Sequence, residues 1–262
     1  MIKLDNKKIL IIGSNGLISS NLISYLNNKN LITFHTSQNK NNSPIYFDLD
    51  NKTKLQKSNF PYFDILIHCA YQRSQNFEKE KNINFLGSKL IFDLAKQFNA
   101  KIIYISSMSA SKKSKSNYGK IKYLIEKLSI NYNAITVRPG LVFDKNSNKG
   151  IYGGLQKLII TYPFLIFPKG LNKKQFLCNI EELCDKIYQI LLYENSKTKI
   201  YNFHSSESLT LKEICKKIMS ENNKKIIFIN INYKIIYLFL KLLELTKINF
   251  RFKADSLLSL ID

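Results

Sequence analysis

The sequence predicts an α/β fold, in which helices cover both faces of a parallel sheet. From Lys8 to about Ile105, short and continuous apolar runs alternate with stretches of helical spacing. Strands that are buried on both faces appear as continuous apolar runs, because neither face meets water. The first run, Ile9–Ile12, ends in the turn Gly13-Ser-Asn-Gly16 and a helix follows. Such a turn is typical of a dinucleotide-binding sheet, so we expect a doubly wound sheet of the Rossmann type.

The elements of the sheet follow in order along the first half of the chain. We expect strands at Ile9–Ile12, Leu31–Phe34, Ile45–Phe47, Ile65–Cys69, Ile102–Ile105 and Ala134–Val137. Apolar spacing predicts helices at Leu17–Leu26, Asn82–Phe98 and Tyr118–Asn131. The sheet domain is expected to span residues 1–142, and later segments are expected to return to it.

Beyond Leu141 the pattern changes, and this change predicts a smaller C-terminal lobe. Helical stretches are predicted at Glu181–Tyr193, Leu211–Ser220 and Tyr233–Leu245, separated by short apolar runs such as Ile200–Phe203 and Ile226–Ile229. We therefore expect a smaller, mostly helical lobe over residues 143–262. The apolar segment Ile235–Leu245 is interrupted by Lys241 and Glu244, which predicts an amphipathic helix. We expect it to pack against the protein, with contact to a membrane surface as the alternative.

The composition is that of an ordinary globular protein except for its net charge. Of 262 residues, 45% are hydrophobic and 23% charged, which is ordinary, but the net charge is +21. Two explanations stay open. One is compositional drift in a chain rich in Lys, Asn and Ile, and the other is attraction of dinucleotides, nucleotide-sugars or an anionic membrane. Nucleic-acid binding is not expected, because only three arginines are present and no recognition motif accompanies the charge.

Cysteine and histidine usage predicts a reduced, metal-free cytoplasmic protein. The four cysteines lack a Cys-x-x-Cys pair, which is typical of buried thiols. The three histidines are too widely spaced to suggest a metal site. The first residues lead directly into a strand, so no signal peptide is expected.

The turn Gly13–Gly16 is the candidate cofactor site. Gly13 allows a tight turn, Gly16 allows the backbone to approach a pyrophosphate, and the free N–H groups of the next helix face the phosphates. The third small residue of this pattern is Ser19. After the second strand the chain reads Phe34-His-Thr-Ser-Gln-Asn-Lys40, without the acid that would bind the ribose of NAD. Hydroxyls and a lysine suit a 2′-phosphate, so of NAD and NADP we weakly favour NADP.

Tyr118, Lys122 and Ser107 are the candidate catalytic residues. A tyrosine and a lysine four positions apart on a helix face the same way. A phenol has a pKa near 10, so it needs a nearby cation to transfer a proton at neutral pH. Lys122 supplies that charge, and Ser107 would hold the substrate oxygen near the phenol. Together with the glycine turn, these residues predict a nicotinamide-dependent oxidoreductase.

These motifs, with several others in the same order, resemble the extended short-chain dehydrogenase/reductase family, in particular its nucleotide-sugar epimerase, dehydratase and ketoreductase branch. The further matches are Asp48-Leu49, His68-Cys-Ala70, Asn84 with Gly87, Ser106-Ser107, Arg138-Pro-Gly-Leu-Val-Phe143 and Phe176-Leu-Cys-Asn-Ile-Glu-Glu182. The resemblance implies cofactor contacts from Gly13, Asn15, Gly16, Leu17, Ile18, Asp48, Leu49, Cys69, Ala70, Asn84, Lys122 and Pro139. Lys169 and Arg251 are candidates for binding a substrate phosphate. Lys173 and Lys174, close to Lys169 in the chain, are further candidates.

The departures from the family pattern narrow the expected reaction. Ser19 replaces the third glycine, and Phe143-Asp144 stands where Tyr-Gly is usual. Met108-Ser109 follows Ser107 where sugar 4,6-dehydratases carry an acidic pair, which argues against dehydration. The resemblance then implies 4-keto reduction or C4 epimerisation of a nucleotide-linked sugar, in polysaccharide biosynthesis. It also implies a homodimer formed through the helices at Asn82–Phe98 and Tyr118–Asn131. The alternative is a non-catalytic NAD(P)-binding sensor or scaffold.

Overall fold

The structure, a computed structural model, describes residue 4 and residues 6–38, 45–50, 55–74, 76–193, 199–246 and 252–260. In chain order its elements are β1 (Lys8–Ile12), α1 (Leu17–Asn28), β2 (Ile32–Ser37), β3 (Ile45–Tyr46), β4 (Ile65–His68), α2 (Phe77–Gln97), β5 (Lys101–Ile105), α3 (Asn117–Ile130), β6 (Ile135–Pro139), β7 (Leu141–Phe143), α4 (Gly150–Thr161), β8 (Phe164–Lys169), β9 (Lys174–Asn179), α5 (Ile180–Tyr193), β10 (Ile200–Phe203), β11 (Ser208–Thr210), α6 (Leu211–Glu221), β12 (Ile227–Asn232), α7 (Tyr233–Leu245) and α8 (Ala254–Ser259).

A parallel sheet with the strand order β3-β2-β1-β4-β5-β6-β10 forms the centre of the fold. The strand order reverses between β1 and β4, since β2 and β3 lie on one side of β1 and the later strands lie on the other. In open α/β sheets, ligands bind at this reversal, at the carboxyl ends of the strands. The predicted fold class is confirmed.

The continuous apolar runs arise because each strand contributes to two cores. Ile9 and Ile11 of β1 belong to the core that also contains α1 and α5 residues, whereas Leu10 and Ile12 belong to the core shared with α2 and α3. Successive side chains of a strand point to opposite faces, so a sheet covered on both faces needs apolar residues at every position.

The smaller lobe contains two short sheets as well as helices. One has the order β11-β9-β7, and the other pairs β12 with β8. A third apolar core lies between them and the helices α4 and α6. Two later elements return to the large sheet, because β10 pairs with β6 and the apolar residues of α5 join the core of α1. The division of the chain at residue 142 stays a prediction.

Helix α8 was not expected from the sequence, and helices α2 and α4 also differ from the expectation. Helix α2 begins at Phe77, five residues before the expected Asn82, because the Asn76 side chain accepts a hydrogen bond from the Lys79 N–H at 2.9 Å and caps the helix. Helix α4 was not expected, since three of its residues are glycines, which disfavour helices. Tyr152 and Ile159 are almost fully buried in the lobe, so tertiary packing stabilises this helix.

In the part of the chain that the structure describes, the cysteines form no disulfide bonds, and the helices are not of the kind that spans a membrane. All four cysteines lie within the described residues and carry free thiols, three of them buried. Among the residues that the structure describes, none of the helices is both long and apolar enough to cross a bilayer.

A buried ion pair connects α3 with the end of β6. Arg138 donates from Nε to one carboxylate oxygen of Glu126 at 2.8 Å and from its terminal nitrogen to the other at 2.5 Å. The Glu126 side chain is only 5% exposed. Arg138 therefore compensates a carboxylate that water does not reach, and the carboxylate raises the pKa of the guanidinium through this hydrogen bond.

We predict that Arg138→Ala lowers the free energy of unfolding by about 3 kcal/mol, because removing one partner of a buried pair leaves the other uncompensated. Urea denaturation measures this loss. The control is Arg138→Met combined with Glu126→Leu, which removes both charges and should lose clearly less. An equal loss in the two proteins would contradict the prediction.

Candidate active site

The turn after β1 lies against the end of β4, at the point where the strand order reverses. Gly13 has a φ of +91°, and a Cβ atom there would lie 2.8 Å from the Ala70 Cα. Only glycine meets both conditions, since a side chain would be strained by the backbone and would overlap Ala70. The close approach brings the turn and the segment after β4 to one side of the sheet.

The amino end of α1 is open to a ligand. Gly16 is its N-cap, and no side chain among the described residues caps this end. Ser19 is fully buried and donates its hydroxyl to the Gly13 carbonyl at 2.5 Å. The serine thus replaces the usual third glycine without leaving its own polar group unpaired. Free N–H groups at a helix amino end, next to a glycine turn, fit the pyrophosphate of a dinucleotide.

Two adjoining cavities lie over the carboxyl ends of the strands. The turn cavity, about 380 Å³, is lined by the Gly13–Gly16 turn, the end of β2 and the segment after β4. The tyrosine cavity, about 430 Å³, is lined by the start of α1, residues 106–109, Tyr118, residues 139–142 and part of the smaller lobe. Both are lined by Gly16, Cys69 and Arg73, so they form one cleft.

Polar residues at the end of β2 and directly after it line the turn cavity. Thr36, Ser37 and Gln38 lie there, and among the described residues no acid does. Gln38 donates from Nε2 to Asp48 Oδ1 at 2.9 Å and to Gln72 Oε1 at 2.8 Å. Lys40, which supported the choice of NADP, lies outside the described residues. The preference between NAD and NADP stays a prediction.

Tyr118 and Ser107 meet on the wall of the tyrosine cavity, and Lys122 lies buried behind them. Burial raises the pKa of the Tyr118 phenol, and the nearby Ser107 hydroxyl lowers it to a smaller extent. Ser107 Oγ is hydrogen-bonded to Ser109 Oγ at 2.9 Å. Lys122 Nζ donates to the Ile105 carbonyl at 2.8 Å and lies 5.7 Å from the centre of the Tyr118 ring. Burial lowers the pKa of Lys122 to about 8, against the raising effect of Cys69 and Glu126.

The first turn of α3 is held from three directions. The Ser116 side chain accepts from the Gly119 N–H at 3.0 Å. Asp255, from α8, accepts from the N–H groups of Asn117 at 2.6 Å and Tyr118 at 3.2 Å. A Cβ atom on Gly119 would lie 2.4 Å from the Ser109 carbonyl oxygen, so only glycine allows this loop to approach the helix. The position of Tyr118 therefore depends on the lobe as well as on the sheet.

Most of the residues expected to bind the cofactor line the cleft, and some do not. Those lining it are Gly13, Asn15, Gly16, Leu17, Ile18, Leu49, Cys69, Ala70 and Pro139, with Ser107 and Tyr118. Among the described candidates, Asp48, Asn84, Lys122 and Lys169 line neither cavity. Asn84 accepts from the Gln72 N–H at 2.8 Å and donates to the Gln72 carbonyl at 2.7 Å, so it supports the segment after β4. Lys173 and Lys174 line the tyrosine cavity, and Arg251 lies outside the described residues.

Sequence reasoning missed Arg73 and Asp255. The Arg73 guanidinium lies 5.3 Å from the centre of the Tyr118 ring and 3.4 Å from an Asp255 carboxylate oxygen. Its charge lowers the pKa of Tyr118, against the larger effect of burial. One signal for Arg73 was present, since it is one of three arginines and follows the His68-Cys-Ala motif closely. Nothing in the sequence connects Asp255 with a helix 137 positions earlier.

Comparisons with known proteins bear on the family and on the fold. The model of the NAD dependent epimerase/dehydratase family matches residues 9–146, slightly more than half of the chain. Over 177 residues the chain is 29% identical to NADH dehydrogenase [ubiquinone] 1 alpha subcomplex subunit 9, mitochondrial, of Dictyostelium discoideum. That match covers 65% of this chain and 47% of the other, so the chain spans about half the length of this curated relative.

Solved structures share the fold at low identity. MoeE5 in complex with UDP-glucose and NAD has 13% identity and a TM-score of 0.74, over 86% of this chain and 85% of that one. Helicobacter pylori ADP-L-glycero-D-manno-heptose-6-epimerase has 16% identity and a TM-score of 0.74, over 98% and 95%. Bacillus anthracis dTDP-4-dehydrorhamnose reductase in complex with NADP has 17% identity and a TM-score of 0.72, over 88% and 85%. The family match confirms the resemblance found in the sequence: the chain belongs to the NAD-dependent epimerase/dehydratase family.

Proposed function

We propose that this protein is an NAD(P)-dependent enzyme that reduces a 4-keto group, or inverts C4, of a nucleotide-linked sugar. The observation that carries the proposal is the meeting of Tyr118 and Ser107 on a cavity wall, with the Lys122 ammonium buried behind them. The cavity continues into one lined by the glycine turn. The similar folds of a nucleotide-sugar epimerase and of a nucleotide-sugar reductase support the same substrate class.

The residues around the turn fit a nicotinamide dinucleotide. Gly13 and Gly16 leave room for the pyrophosphate, and the open amino end of α1, at Leu17 and Ile18, supplies N–H donors and a favourable dipole. Leu49 and Ala70 are apolar walls for the adenosine part. When bound, the dinucleotide supplies or accepts the hydride.

Tyr118 handles the proton in this proposal. Its raised pKa keeps the phenol protonated at neutral pH, so in reduction it can donate to the oxygen formed on the sugar. Ser107, on the same cavity wall, orients the same sugar oxygen. The charges of Lys122 and Arg73 stabilise the phenolate that remains after donation.

The smaller lobe supplies the remaining substrate contacts. Lys173 and Lys174 line the tyrosine cavity, and their charges suit the diphosphate of a nucleotide-linked sugar. Lys169 is exposed and lies away from both cavities, so Lys173 and Lys174 are better placed for this role. A homodimer through α2 and α3 belongs to the same proposal; these helices pack together and expose Leu86 and Ile130.

A second candidate is a non-catalytic NAD(P)-binding subunit or scaffold. The observation that favours it is the 29% identity to a protein named as a subunit of NADH dehydrogenase. The Tyr118 phenol and the Ser107 hydroxyl on one cavity wall argue for the enzyme, because a protein that only binds a dinucleotide needs no proton donor beside the cavity.

A stoichiometric assay tests the proposed reaction. Purified protein is mixed with NADPH or NADH and a panel of UDP- and dTDP-linked 4-keto-6-deoxy sugars and their 4-hydroxy counterparts. We expect either one cofactor oxidised per sugar reduced, which identifies a reductase, or sugar interconversion without net cofactor change, which identifies an epimerase. Tight cofactor binding without conversion of any sugar would support the non-catalytic candidate.

We predict that Tyr118→Phe lowers turnover by about 10²–10⁴-fold, because the proton donor is lost while the ring is kept. Cofactor affinity, measured by titration, should stay nearly unchanged. Tyr123→Phe is the matched control, since it removes a phenol from the same helix and should keep wild-type turnover. Full activity in Tyr118→Phe would refute the role assigned to this phenol.

The pH dependence of kcat/KM should follow the charge of Lys122. Its pKa is about 8, so the ammonium is charged below that pH and neutral above it. Activity should therefore be retained below pH 8 and decline as pH rises through this value. Lys122→Met should have low activity without this decline. If Lys122→Met showed the same decline of kcat/KM, the decline would have to be assigned to another titrating group.

A further inference from the structure

Helix α7 presents an apolar face to solvent. Ile235, Leu238, Phe239, Leu242 and Leu245 recur at helical spacing, and each side chain is between 56% and 84% exposed. The opposite side of the helix, with Tyr233, Ile236 and Tyr237, packs against the core of the smaller lobe. The five exposed residues, termed the α7 face, therefore remain uncovered although the helix is docked.

Further apolar side chains are exposed on the small sheet of the same lobe. Phe164 and Ile166 of β8 pair in register with Ile227 and Ile229 of β12, so the four residues share one side of that sheet. All four are more than 40% exposed. Among the described residues, nine of the nineteen exposed large apolar side chains lie on α7, β8 and β12. Five of the nine lie on one side of α7, and a group of that size on a single helix marks an interaction surface rather than scattered surface residues.

The charges in the segments around the α7 face are almost all positive. Residues 162–172 and 222–246 contain five lysines, and their one acidic residue is Glu244. Glu244 is 12% exposed and is already engaged, accepting from the Ala254 N–H at 2.8 Å and pairing with Lys241 at 3.3 Å. The lysines are Lys169, Lys224, Lys225, Lys234 and Lys241. The lobe thus combines exposed apolar side chains with positive charge that nearby acids do not balance.

We propose that the α7 face binds an anionic phospholipid surface. A helix of 13 residues is about 20 Å long, too short to cross a bilayer and suited to lie along its surface. The apolar face would enter the boundary between headgroups and acyl chains, and the lysines would meet the lipid phosphates. A second copy of the chain fits less well, since a symmetric contact would set these lysines against identical lysines in a protein of net charge +21. This inference does not depend on the proposed enzyme activity.

Vesicle co-sedimentation tests the proposal. The probes are phosphatidylcholine vesicles with and without phosphatidylglycerol. We expect the wild type to bind the anionic vesicles, and Leu238→Gln with Leu242→Gln to lower the partition coefficient by about tenfold or more. The matched control is Ile32→Gln with Ile200→Gln, two exposed aliphatic residues on the large sheet, and it should bind like the wild type. Circular dichroism and urea denaturation check that each variant is folded.

Tryptophan fluorescence gives a second measurement, with a substitution that leaves the α7 face apolar. The chain contains no Trp, so Phe239→Trp introduces a single reporter, whose emission should shift to the blue with anionic vesicles. The absence of a blue shift would overturn the proposal, and so would equal vesicle binding by the Leu238/Leu242 variant and the wild type. A third outcome would also overturn it: the wild type is a dimer that does not bind vesicles, and the Leu238/Leu242 substitutions dissociate that dimer. The last outcome would make the α7 face an interface between copies.

Discussion

The buried ammonium group of Lys122 constrains the arrangement of the cleft more than any other single group. An ammonium away from water needs an acceptor, and Nζ finds the Ile105 carbonyl at the carboxyl end of β5, at 2.8 Å. Its other neighbours are aromatic, with the ring centres of Tyr104, Tyr71 and Tyr118 between 4.9 and 5.7 Å away. This bond sets the position of α3 against the sheet. Tyr118, one turn earlier on the helix, then lies on the cavity wall next to Ser107. The cost of burying the charge is what lowers the pKa of Lys122.

Contacts at both ends of α3 maintain this position. At the amino end, Asp255 binds the first N–H groups and pairs with Arg73, which lies beside the Tyr118 ring. Further along the helix, Glu126 pairs with Arg138 at the end of β6. The first contact comes from the last described helix of the chain and the second from the sheet, so α3 is held by both parts of the protein. A carboxylate at a helix amino end also interacts favourably with the helix dipole.

The two proposals concern separate parts of the molecule. The proton-transfer residues and the glycine turn lie at the carboxyl ends of the sheet strands, whereas the α7 face belongs to the smaller lobe and points to solvent. The high net charge has a different meaning in each. Lys173 and Lys174 lie in the cavity and suit a substrate diphosphate, while the lysines near α7 border exposed apolar side chains. Part of the positive charge therefore lies where it would attract an anionic ligand or surface. Compositional drift alone does not require lysines at these places.

The sequence by itself determined the features that depend on near neighbours in the chain. Continuous apolar runs predicted the strands of the parallel sheet, the Gly13–Gly16 turn predicted where a helix begins, and helical spacing predicted that Tyr118 and Lys122 lie on the same side of α3. Only the tertiary structure decided the features that depend on distant residues. Helix α4, rich in glycine, is stabilised by the packing of Tyr152 and Ile159. Asp255 reaches Tyr118 across 137 positions, and Arg73 joins the two cavities. The sequence shows local spacing directly, because a helix or a strand repeats over a few residues. The contacts between distant residues form only after the strands have taken their order in the sheet and the lobe has packed against it.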